Sequence, residues 1–76
     1  MNGRKFGHFS SGLKRLRKSR QLTQEGLAQM VGVSRKAICR YENGLAMPRA
    51  QVLMRICQVL GCEYLLILQI APEERS

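Results

Sequence analysis

Apolar residues recur along most of this chain at helical spacing. Phe9, Leu13 and Leu16 fall at i, i+4 and i+7, one stripe of a helix that runs from Ser10, a good N-cap type, to about Arg20. "LTQEGLAQMVG" predicts a second helix capped by Thr23, with Leu27, Met30 and Val31 on its buried side. A full capping box wants Glu or Gln at position 26, where Gly26 stands, so this helix is weaker than it could be. Gly32 supplies a residue able to turn with positive φ at the helix end, and Ser34 starts a third helix that Asn43-Gly44 stops. Pro48 opens a fourth helix through Leu60, with Val52, Leu53, Ile56, Cys57 and Leu60 inward and Gly61 as its stop.

The period changes in "CEYLLILQIAPE". Cys62, Tyr64, Leu66, Leu68 and Ile70 alternate with Glu63 and Gln69, while Leu65 and Ile67 fill the other face. A strand over residues 63–70 with both faces partly covered fits this pattern, and a short fifth helix is the alternative; Pro72 ends either. A strand with no neighbour in its own chain pairs most simply with the same segment of a twofold mate, which places Tyr64, Leu66, Leu68 and Ile70 at a dimer contact. The chain thus divides into a flexible basic arm (1–9), a helical domain (10–61), a dimerisation strand (62–71) and a tail (72–76).

At 76 residues the chain holds one small domain. A domain of this size leaves much of its surface exposed, which favours oligomerisation. No apolar run reaches the roughly 18 residues of a membrane span. "MNGRKFGHFSS" is basic but has no apolar core of a secretory signal, so a cytoplasmic location is expected. Cys39, Cys57 and Cys62 show no CxxC spacing and His8 has no partner set, so no metal site or cofactor is expected and the thiols read as small hydrophobes. There is no paired-carboxylate site, no nucleophile beside a base and no glycine-rich phosphate loop, which argues against an enzyme.

Charge changes the picture. Residues 1–49 carry a net +9, with only Glu25 and Glu42 against the cations, whereas residues 50–76 carry −1. Such asymmetry suggests a front that binds a polyanion and a separate back half. It is concentrated in "VGVSRKAICRYENG", where Arg35 and Lys36 fall in the first turn of the third helix. Cations there oppose the helix dipole, so the balancing negative charge must come from outside.

Two short helices joined by a tight glycine-containing turn make a helix-turn-helix. Ala28 is small where the helices cross, Gly32 makes the turn, and Leu27, Val31, Val33 and Ile38 fill the space beneath. On a wheel centred on Ile38, Arg35 sits at the flank while Lys36, Arg40 and Asn43 point away. This is the face of a recognition helix laid in the major groove, where Arg and Lys reach guanine O6 and N7 and phosphates supply the missing charge. The same wheel turns Glu42 inward, where a carboxylate needs a partner; Arg17, at the inner edge of the first helix, is the candidate.

Residues 13–61, through "LKRLRKSRQLTQEGLAQMVGVSRKAICRYENG" and then "P…VLMRICQVLG", resemble the Cro/Xre family of helix-turn-helix repressors. The resemblance implies an all-α, four-helix, lambda-repressor-like domain that binds double-stranded DNA. It implies that Gln24, after the Thr cap, contacts phosphate. By the same resemblance Ser34, Arg35 and Lys36 read bases or adjacent phosphates, Arg40 reads a base one turn later, and Asn43 and Gly44 touch the DNA backbone. The family also often pairs an arginine and a glutamate at the positions of Arg17 and Glu42. Gly26 and Arg49 depart from the pattern, which usually has a polar helix former and a Ser or Thr cap there. The tail "VLGCEYLLIL" is similar to the end of HipB-type antitoxins, which implies a strand-built homodimer, repression of its own operon and a HipA-type kinase toxin as partner.

Overall fold

The structure, a computed structural model, describes residues 7–61, and the expected strand over 63–70, or its fifth-helix alternative, lies outside them. Four helices follow in order: α1 Gly7–Ser19, α2 Gln24–Val31, α3 Arg35–Glu42 and α4 Ala50–Leu60. α3 packs on both α1 and α2, and α4 packs on α2. Leu13, Leu27, Ile38, Ile56 and Leu60 are fully buried at the centre, with Phe9, Ala28, Val31, Leu53 and Cys57 around them.

Local chemistry sets most boundaries. Thr23 has an extended backbone and its Oγ1 accepts from the Gly26 N–H at 2.9 Å, which starts α2. Ser34 does the same for α3, its Oγ accepting from the Ala37 N–H at 3.0 Å. Gly32 (φ 88°) ends α2 in the left-handed region, with its own N–H and that of Val33 both donating to the Ala28 carbonyl. The turn between α2 and α3 is therefore only residues 32–34 long.

Three local readings are corrected. α1 starts at Gly7, so Ser10 is no cap; it lies inside the helix and is buried, because Phe9 packs in the core and carries the helix back past it. Pro48 precedes α4 rather than opening it: Arg49 is the N-cap, with extended backbone and no side-chain cap bond, and the helix begins at Ala50. Met30 is 55% exposed rather than buried. The buried arc of α2 is centred on Leu27, Ala28 and Val31, and at about 100° per residue Met30 lies well to one side of it. Val52, read as inward, is partly buried against the core.

Candidate nucleic-acid interface

The site is built on α3 and the start of α2. Ile38 is fully buried and anchors α3; Lys36 and Arg40 are exposed on the opposite arc, and Arg35 is exposed at its flank. No acidic residue stands in the first turn of α3, and none of these three cations makes an ion pair among the described residues. Their charge is left for something outside the domain. Ser34 is also exposed; its oxygen caps α3, which leaves the hydroxyl proton free to donate outward.

Glu42 ends α3 on the inner side. Its side chain is 1% exposed and that of Arg17 is 9% exposed. Arg17 Nε donates to Glu42 Oε2 at 2.6 Å and Arg17 Nη2 to Glu42 Oε1 at 3.0 Å, a bidentate pair. Arg17 Nη1 also donates to the Leu22 carbonyl at 2.7 Å, so one guanidinium ties α1, the α1–α2 turn and α3 together. Gln24, the first residue of α2, is half-buried, and its Nε2 donates to Glu42 Oε1 at 3.0 Å. The resemblance pointed Gln24 only at phosphate; its inward bond spans 18 residues of chain and has no local sequence signal.

Asn43 and Gly44 follow directly. The Asn43 amide donates to Cys39 Sγ at 3.3 Å and its backbone N–H to the Cys39 carbonyl, so its side chain folds back along α3. Gly44 is buried with φ 74°, in the left-handed region that lets the chain leave α3 sharply. Gln24 thus opens α2, Arg35, Lys36 and Arg40 lie on α3, and Ser34, Asn43 and Gly44 stand at the two ends of α3, with the Arg17–Glu42 pair joining α1 to α3. Tyr64, Leu66, Leu68 and Ile70 lie outside the described residues. A contact that sequence reading missed is Arg55 Nη1 donating to the Val31 carbonyl at 3.4 Å, a cation at the negative end of α2. Among the described residues no group of His, Cys, Asp or Glu could hold a metal ion, and no helix is long and apolar enough to cross a membrane.

A family model described as helix-turn-helix matches residues 13–67. Antitoxin PezA of Streptococcus pneumoniae serotype 4 is 39% identical over 56 residues, covering 74% of this chain and 35% of that protein. The uncharacterized HTH-type transcriptional regulator YqaE of Bacillus subtilis is 38% identical over 60 residues, covering 76% of this chain and 52% of that protein. This chain therefore spans between a third and about half the length of the relatives it matches. Among solved structures, the DNA-binding domain of the P22 c2 repressor superposes with a TM-score of 0.78 at 28% identity, covering 90% of this chain and 86% of that one. The restriction-modification controller protein C.AhdI of Aeromonas hydrophila superposes with a TM-score of 0.78, covering 82% and 94%; at 24% identity it speaks for the fold alone.

Proposed function

This chain belongs to the Cro/Xre-type helix-turn-helix family, and we propose that it is a sequence-specific transcriptional repressor that binds a palindromic operator as a dimer. It is a DNA-binding regulator rather than an enzyme. The observation that carries the proposal is the exposed Lys36 and Arg40, with Arg35 exposed at their flank, on a helix whose other side is locked into the core by Ile38. Arg and Lys on such an arc are the side chains that read guanine in the major groove. Gln24 and Ser34 contact flanking phosphates, Asn43 and Gly44 approach the DNA backbone, and Tyr64, Leu66, Leu68 and Ile70 join the two copies in the cytoplasm.

The antitoxin role is part of the same proposal. The relative named as an antitoxin supports it, and the tail's similarity to HipB-type proteins points to a HipA-type kinase as the toxin. A regulator with no toxin partner is the competing reading, supported by the relative named as a transcriptional regulator. Selection of binding sites from random duplexes with the full chain tests the core of the proposal. A twofold-symmetric consensus with half-sites about one helical turn apart is expected; failure to enrich any sequence contradicts it.

A further inference from the structure

We infer that Glu42, buried away from the DNA-facing surface, is a positioning residue for DNA binding: it fixes the Gln24 amide so that one N–H is presented to a backbone phosphate. The inference rests on the reading of Gln24 as a phosphate contact. An ionised carboxylate only accepts hydrogen bonds, so the Gln24 amide must turn its NH2 group, not its carbonyl, toward Glu42. That bond uses one N–H on Oε1, and the planar amide directs the other N–H away from the buried carboxylate. Gln24 is the first residue of α2, where the unpaired backbone N–H groups and the helix dipole also favour an anion.

Arg17 makes the arrangement stiff. Its Nε and Nη2 hold both oxygens of Glu42 while Nη1 is held on the Leu22 carbonyl, so the carboxylate cannot swing to follow the glutamine. The amide is therefore ordered before DNA arrives, and binding does not have to order it. This gives the buried pair a part in DNA affinity separate from its part in holding α1 to α3.

The test uses a mixed-sequence duplex of about 20 base pairs at low salt, because phosphate contacts do not depend on sequence. Gln24→Ala is measured in the natural chain and in a Glu42→Gln background, which keeps the side chain's size but removes the acceptor-only carboxylate. The expected loss is about fivefold in the natural chain and within about twofold in the Glu42→Gln background. Equal losses in both backgrounds overturn the positioning role while keeping the phosphate contact. No loss in either removes the contact itself. Should Glu42→Gln fail to fold, NMR of the natural chain decides: the Gln24 side-chain amide should exchange with solvent more slowly than those of exposed Gln51 and Gln58, and equally fast exchange overturns the inference.

Discussion

Arg17 of α1 and Glu42 of α3 meet in a bidentate pair across 25 residues of sequence, with Nε on Oε2 at 2.6 Å and Nη2 on Oε1 at 3.0 Å. Both side chains are almost wholly buried, and both carboxylate oxygens accept hydrogen bonds: Oε2 from Arg17, and Oε1 from Arg17 and Gln24. A charge pair so placed adds little over a well-packed apolar pair, but removing one half strands the other without solvent. It ties the last residue of α3, the helix that carries Arg35, Lys36 and Arg40, to α1.

Glu42→Ala should therefore destabilise the domain by about 3–5 kcal/mol, the cost of leaving a buried arginine unpaired. Glu25→Ala, which removes an exposed bond accepted from the Gln29 amide at 3.3 Å, should shift stability by no more than about 0.5 kcal/mol. Thermal melts of the two variants make the comparison, and equal melting temperatures would show the pair to be energetically idle.

Gln21 sits at φ 60° just after α1, closing the helix with its N–H on the Lys18 carbonyl and the Leu22 N–H on the Arg17 carbonyl. This is a position that glycine fills without strain. Gln21→Gly should relieve roughly 1–2 kcal/mol of left-handed strain. The greater freedom of glycine in the unfolded chain offsets about 0.5–1 kcal/mol of that. A net gain of about 0.5 kcal/mol in denaturant midpoints is expected, and a loss would mean that the glutamine side chain holds the turn.

Gly26 lies in the first turn of α2, and a Cβ built there would come 3.2 Å from Thr23 Oγ1. That contact is tight, but Thr23 is an exposed side chain able to give by a few tenths of an ångström. Replacing glycine by alanine in a helix is worth about 1 kcal/mol. Gly26→Ala should stabilise by about 0.5 kcal/mol after the cap adjusts. A fall in melting temperature would show that the Thr23–Gly26 cap bond is lost instead.

These cases show which features were legible in the sequence. Thr23, Gly32, Ser34 and Gly61 announce their boundaries because capping is decided by a residue and its neighbours three or four positions away. Helical periodicity was enough to turn Glu42 inward and Arg40 outward, since a single wheel contains that information. Met30 failed because its burial depends on how α2 is rotated against α3 and α4, and Ala28 shifts that rotation without looking like a core residue. Gln21 carried no warning, as nothing but the chain reversal forces it to positive φ. The Gln24–Glu42 and Arg55–Val31 bonds were illegible for the same reason: both join residues that only the packing of helices brings together.

Leu66→Lys tests the proposed dimer. A charge placed in an apolar strand contact between twofold mates should turn the full chain into a monomer in sedimentation experiments and weaken binding to a palindromic site. A stable dimer carrying the lysine would move the contact elsewhere, with a fifth helix as the next choice.

If the outward arc of α3 reads bases, Arg40 is the side chain whose loss shows it. Arg40 is exposed one turn beyond Lys36, while Lys18 is exposed on α1, which contributes no residue to the proposed reading face. Binding of Arg40→Ala to a selected operator and to its single-base variants should show a loss of about 1–3 kcal/mol confined to one or two positions. Lys18→Ala should leave the pattern of discrimination unchanged. If Arg40→Ala binds the operator as tightly and as selectively as the natural chain, α3 is not the recognition helix.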